Sequence, residues 1–189
     1  RGDVPDYLPY LYMSRLYVTL GKNDPKSSYN DEALKYSQKA LEISATFIRT
    51  YYEIGQVYLN KKDYDSAVQY FQKAADLNPK APISYWYFGA VELERGNLNK
   101  GIGLIEKALA LGYSPTEAEY VRMIGMYNRV GNFGKIASTY EKLVDFKPNN
   151  PQYHASLAYA YSKIGKIDEA ITEAKKAAEI DPTFEAEAR

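Results

Sequence analysis

Cysteine is absent from this chain of 189 residues. No disulfide, zinc–thiolate site or thiol nucleophile can be built from it. The absence fixes no compartment, because a cysteine-free chain is stable in either redox setting. Histidine is nearly absent too, His154 being the single one. Without cysteine, and with a lone histidine, no Ser-His-Asp or Cys-His set can be assembled. An excess of either charge is also missing, since 24 Lys+Arg stand against 24 Asp+Glu. That balance argues against a basic nucleic-acid surface and against a polybasic membrane anchor. No apolar run reaches the roughly 18 residues that a spanning helix needs, so no direct membrane insertion is expected. Patterns of the H-E-x-x-H, Walker and G-x-G-x-x-G kinds are lacking. Gly101-Ile102-Gly103 is a glycine pair inside a predicted helix with no strand before it, and close helix packing explains it better than a phosphate loop. Asp63 and Asp65 stand at a predicted helix start, where carboxylates cap and suit the dipole. No catalytic residue, metal ligand or cofactor site is therefore assigned, and the chain is not expected to be an enzyme.

What the chain has in quantity is tyrosine, 20 residues of it, and a repeating pattern. Tyr51, Ile54, Gly55, Tyr58, Ala67, Phe71, Ala74 and Pro79 mark one unit. Offsets of three, four and seven put side chains on one face of a helix. Small residues such as Gly55, Gly89 and Ala158, with Ala67 and Ala170 opposite, let two helices approach closely, while Tyr58 and Phe71 fill the space beside them. Turns at Lys62-Asp63, Gly96-Asn97 and Gly131-Asn132 end one helix and begin the next. Asn78-Pro79, Lys147-Pro148 and Asp181-Pro182 stop the second helix, because a residue before proline avoids the helical region.

These spacings resemble the tetratricopeptide repeat family, with tyrosine where that family usually carries tryptophan. Four further units follow with drift. Glu92 stands where Tyr58 stood, Ile124 takes the small-residue position with Gly125 after it, and about seven residues around Lys22 to Ser28 are inserted in the first unit. A longer loop, Gly112-Tyr113-Ser114-Pro115, precedes the fourth. The resemblance implies an all-α fold, a right-handed α-solenoid of about five helix-turn-helix repeats near 7–47, 48–81, 82–116, 117–150 and 151–184, in one domain over 1–189. Ten helices are expected, near 6–20, 29–43, 47–60, 64–77, 82–95, 98–111, 116–130, 133–146, 151–164 and 167–180. A further helix is expected to start at Phe184. The chain opens on Arg1, its last stretch, Thr183 to Arg189, stops abruptly, and it is expected to be an excised piece of a longer parent.

In that family the first helix of each pair lines a concave groove. Carried onto this sequence, the groove positions give Arg15, Arg49, Tyr52, Gln56, Asn60, Trp86, Arg122, Asn128, Arg129 and Tyr159 as partner-binding candidates. Tryptophan, tyrosine and arginine are the types most enriched at binding hot spots. The arginines suit a partner's carboxylates, and Tyr52, Trp86 and Tyr159 suit apolar or proline-rich segments. Each has a plainer alternative: Trp86 packs against its neighbours, and an exposed arginine is simply solvated. Nine of the tyrosines hold packing positions, so their number alone indicates no site. His154 fills the conserved aromatic position of the last unit and is expected to pack there. The Lys/Asn pair with which some relatives grip a chaperone's C-terminal carboxylate is absent. The corresponding pairs are Leu11/Arg15, Tyr52/Gln56, Trp86/Ala90, Val121/Gly125 and Ala155/Tyr159.

The expected function is a protein-interaction scaffold that holds a protein or peptide, acidic or with aromatic and proline residues, in the groove. The alternative is a module cut from a larger bacterial membrane protein, because Asp24-Pro25-Lys26-Ser27 and Tyr29-Asn30-Asp31-Glu32-Ala33-Leu34 resemble repeats of O-antigen polymerase or ligase-type glycan enzymes. Self-association through uncapped end faces is a third expectation.

Overall fold

The computed structural model describes residues 6–184. Expectations that fall on 1–5 and 185–189, the body of a further helix after Phe184 among them, lie outside the described residues. Ten α-helices run along the described chain: α1 Leu8–Leu20, α2 Ser28–Ile43, α3 Ile48–Asn60, α4 Tyr64–Leu77, α5 Pro82–Glu94, α6 Leu98–Ala110, α7 Glu117–Arg129, α8 Phe133–Phe146, α9 Pro151–Lys163 and α10 Ile167–Ile180. No strand occurs among the described residues. The fold class is all-α, a helical-repeat solenoid, and each helix lies within two residues of its expected bounds. None of these helices is long and apolar enough to cross a membrane.

The chain divides into two compact units, Arg1–Tyr113 and Ser114–Arg189. The division falls inside the longer Gly112–Pro115 loop. In the first unit, hairpins α1–α2, α3–α4 and α5–α6 pack in series. There α2 leans on α3 and α4 on α5, and α3 also touches both α1 and α5. In the second unit, α7–α8 and α9–α10 are paired and α8 packs on α9.

Small residues set the closeness of the helix pairs. A Cβ on Gly55 would meet the Phe71 ring at 2.7 Å. One on Gly89 would meet Ile105 Cγ1 at 2.7 Å and the Gly101 carbonyl oxygen at 2.8 Å. Sixteen residues separate glycine from large partner in both hairpins, so the two crossings are equivalent. In α1–α2 the same role falls to two buried serines, Ser14 and Ser37, whose hydroxyls lie 2.6 Å apart. Phe71, Ala67, Phe88 and Val91 form a core cluster, with Tyr52, Tyr58, Tyr64 and Tyr87 packed around it. The α7–α8 pair differs: Ile124 is buried, while Gly125 faces open space and mediates no close approach.

The hairpin turns share a residue in the left-handed region, at Gly96, Gly131 and Gly165, and in the α3–α4 turn this is Lys62, with φ 59°. Glycine is unstrained there and lysine is not. The Asp63 and Asn132 side chains then accept from the backbone N–H three residues on, capping α4 and α8. Asn97 does not cap α6 in this way. Its amide donates instead to Glu92 Oε2, at 2.6 Å. Glu92, in the register of Tyr58, is fully buried. Lys100 donates to its other oxygen at 2.6 Å, and Arg95 lies 3.4 Å away. Burial pushes the Glu92 carboxyl up, but the Lys100 and Asn97 hydrogen bonds, with the charges of Lys100 and Arg95, hold it below the ordinary value. A carboxylate thus replaces a ring because its hairpin supplies its own donors.

His154 is packed, at 3 % exposure. Its Nδ1 lies 2.6 Å from Glu173 Oε2 and its Nε2 lies 2.8 Å from the Pro148 carbonyl oxygen. Both ring nitrogens face oxygen acceptors, and Lys176 donates to the other Glu173 oxygen at 2.7 Å. Several tyrosine hydroxyls act as links between helices: Tyr153 donates to Glu117 at 2.6 Å and Tyr161 to Glu141 at 2.8 Å. The bond to Glu117, with burial, pushes the Tyr153 hydroxyl up to about 12.

Three variants check this account. Gly89→Ala is expected to destabilise the first unit by about 1–3 kcal/mol in urea unfolding, although alanine is the better helix former. Lys62→Gly is expected to stabilise it, by up to about 1 kcal/mol. Because the folded Glu92 carboxyl lies below its unfolded value, its contribution is present above the ordinary carboxylate range and lost as pH falls through the folded value. Glu92→Gln is therefore expected to be less stable near neutral pH, by about 1–3 kcal/mol, with the deficit shrinking in acid when thermal midpoints are compared across pH.

Candidate partner-binding clefts

Because α3 touches α1 and α5, the first helices of the leading three hairpins lie side by side, and a cleft opens along them. It encloses about 230 Å³ and is lined by Arg15, Val18 and Thr19 of α1, Arg49, Tyr52, Glu53 and Gln56 of α3, and Ile83 and Tyr87 of α5. Four of the ten sequence candidates, Arg15, Arg49, Tyr52 and Gln56, come together here. Among the described residues neither guanidinium has an ion-pair partner within 4 Å. Tyr52 forms the wall between helices. Its hydroxyl lies 2.6 Å from that of buried Ser84 and its ring is 6.0 Å from that of Tyr87. Burial pushes the Tyr52 hydroxyl up, against the pull of the Ser84 hydrogen bond. Burial likewise pushes the Glu53 carboxyl up, against the opposing charges of Arg15 and Arg49.

The second unit carries its own cleft, of about 290 Å³, lined by Asn128, Phe133, Ile136, Tyr140, Gln152, Ala155, Ser156 and Tyr159. Its lining holds no charged side chain. Tyr159 is 58 % exposed, meets Phe133 edge-on at 6.2 Å, and lies under the Lys163 ammonium at 5.1 Å. Asn128 and Tyr159 are the sequence candidates found here. Arg122 and Arg129 are exposed on α7 and line neither cleft.

Two candidates have other work. Trp86 is only 6 % exposed and stacks on Tyr113 with ring centroids 4.4 Å apart, so it packs the end of the first unit and presents no face to a partner. Asn60 donates to the Val18 carbonyl oxygen at 2.9 Å and lies 3.4 Å from Asn30 Oδ1. Asn30 is fully buried and donates to the Asp24 carbonyl oxygen at 3.0 Å. Asn60 therefore helps tie the inserted loop after α1 to α3.

Three of the lining residues that sequence reasoning missed share a register. Glu53 and Tyr87 stand two places after the first aromatic of their units, Tyr51 and Tyr85, and Ser156 stands two places after His154. That position lines a cleft in all three, and its recurrence was the available signal. Among the described residues there is no group of three or more His, Cys, Asp or Glu placed to hold a metal.

Two tetratricopeptide repeat models match this chain, over residues 52–119 and 139–172, together more than half of it. The chain belongs to the tetratricopeptide repeat family. A further model, described as Regulator of microtubule dynamics protein 1-3, matches residues 10–84. Small glutamine-rich tetratricopeptide repeat-containing protein 2 of Mycosarcoma maydis is 42% identical over 53 residues, which are 28% of this chain and 15% of that protein. The chain thus spans only a small part of the length of this curated relative. Among solved structures, the MamA protein superposes with a TM-score of 0.65 at 22% identity, over 93% of this chain and 92% of that one. YrrB, described as a tetratricopeptide protein with an unusual peptide-binding site, gives 0.64 at 20% identity, over 97% and 91%. At such identities the likeness is one of fold. The tetratricopeptide repeats make this chain a protein-interaction scaffold.

Tyr52→Phe is expected to cost about 0.5–1.5 kcal/mol, because it leaves the buried Ser84 hydroxyl without its partner. A thermal midpoint equal to that of the parent chain would show that the Tyr52–Ser84 link carries no weight.

Proposed function

We propose that this scaffold holds extended protein segments along its first helices, each unit by its own cleft: acidic residues of a partner at the first unit's cleft, and apolar or aromatic residues at the second's. The single observation behind this reading is the meeting of Arg15, Arg49, Tyr52 and Gln56 in one cleft, with two guanidinium groups uncommitted to any described carboxylate within ion-pair distance. Guanidinium groups bind carboxylates through paired, charge-assisted hydrogen bonds. A half-buried tyrosine wall beside them gives the rigid apolar contact that hot spots use. The second cleft supports the other half of the reading, since amides at Asn128 and Gln152 suit a peptide backbone and Tyr159 offers an exposed ring. The resemblance of fold to YrrB, itself described as having a peptide-binding site, is consistent with it.

The test is a panel of short labelled peptides, acidic, basic and aromatic–proline, read by fluorescence anisotropy. Acidic peptides are expected to bind best. The double variant Arg15→Ala/Arg49→Ala is expected to weaken them by at least about tenfold, and Tyr159→Ala by less. Unchanged affinity in both variants would remove the two clefts from consideration.

A further inference from the structure

Glu53 is unusual among the cleft residues. Its side chain is half-buried, it belongs to the same cleft as Arg15 and Arg49, and among the described residues it makes no hydrogen bond and no ion pair within 4 Å. A carboxylate in partly dry surroundings without a donor is costly. The groups facing it are Arg15 from α1, Arg49 and Tyr52 from α3, and Tyr87 from α5. Arg49 precedes it by four residues on α3, the less favourable order for a helical ion pair. The Tyr52 hydroxyl is engaged with Ser84 and is not spent on Glu53. The cleft thus contains two cations and one anion that feel one another's charge, yet none is in an ion pair within 4 Å among the described residues.

Resting on the peptide-binding reading above, we propose that Glu53 is the specificity-determining residue of a carboxylate subsite: it competes with the partner's acidic side chain for Arg15 and Arg49, and takes up a proton when that side chain binds. Two carboxylates drawn to one pair of guanidinium groups repel each other, and the one held in drier surroundings yields by protonation. Burial already biases Glu53 that way. The balance is simple: the partner's carboxylate enters charged, one proton comes from solvent to Glu53, and no bond other than that O–H is made. The neutral Glu53 carboxyl then becomes a hydrogen-bond donor to the incoming group. Ile83 and Tyr87 form the apolar side of the subsite, so the favoured partner residue is a glutamate or aspartate with an apolar or aromatic neighbour.

The probe is a labelled peptide amide of sequence Leu-Glu-Tyr-Glu-Leu, with Leu-Gln-Tyr-Gln-Leu as its neutral counterpart. Affinity is read by anisotropy near pH 7.5 and near pH 5.5, and proton uptake by titration calorimetry in two buffers of different ionisation heat. The parent chain is expected to bind the acidic probe more tightly at the lower pH, with net proton uptake. Glu53→Gln is expected to bind it about three- to tenfold more tightly near pH 7.5, with the pH dependence flattened. The raised carboxyl also means that the parent loses stability as pH rises through the Glu53 range, so Glu53→Gln is expected to be at least as stable near neutral pH. That comparison separates a binding effect from a folding defect. Unchanged or weaker binding by Glu53→Gln overturns the proposal. Equal binding of the neutral probe also overturns it. In that case, amide shifts at Tyr52 and Tyr87 would leave the cleft as a peptide site and remove only its preference for carboxylates, whereas no shift with either probe would remove the peptide reading as well.

Discussion

How near two helices of a hairpin can come decides how the first unit of this protein is built. Where Gly55 meets Phe71 and where Gly89 meets both Ile105 and the Gly101 backbone, no Cβ fits. That closeness brings α2 against α3 and α4 against α5, and it leaves α3 touching both α1 and α5. The cleft of the first unit is the surface expression of that contact. Remove the close crossings, and Arg15 of α1, Arg49 of α3 and Tyr87 of α5 no longer share a wall.

Polar groups inside the fold follow one rule with different parts. Ser14 and Ser37 satisfy each other. Asn30 satisfies the loop after α1 and is met in turn by Asn60. Glu92 is met by three residues of its own hairpin, and His154 by Glu173 and a carbonyl oxygen. In each case the donor or acceptor comes from a nearby helix, turn or loop. This lets drift from the family pattern be absorbed locally, since burying a polar group costs little once its partners are in place. Thr50 is the exception, its buried hydroxyl having no partner among the described atoms.

The fold was legible because its signals are periodic and local. Glycine or alanine at one offset, proline at another and an aromatic at a third specify a hairpin, and the helix ends came out within two residues. The site was legible only in part. Arg15, Arg49, Tyr52 and Gln56 lie where the family pattern puts groove residues, and they do line one cleft. Trp86 shares the register of Tyr52, yet Tyr113 from the long loop stacks on it, and loop geometry leaves no periodic trace. Asn60 looks like a groove amide, but the insertion after α1 claims it. Glu53 passes unnoticed because a single glutamate on a helix is usually solvated. Only three helices side by side reveal that it is half-buried, with no hydrogen bond or ion pair among the described residues.

The indole stack has a practical corollary. Tryptophan occurs once in the chain, and it is buried against Tyr113 at the close of the first compact unit. Intrinsic emission excited at the red edge of the band therefore reports on residues 1–113 alone, whereas circular dichroism averages all ten helices. The two optical signals, followed together through a denaturation curve, read the cooperativity between the halves directly, without any label.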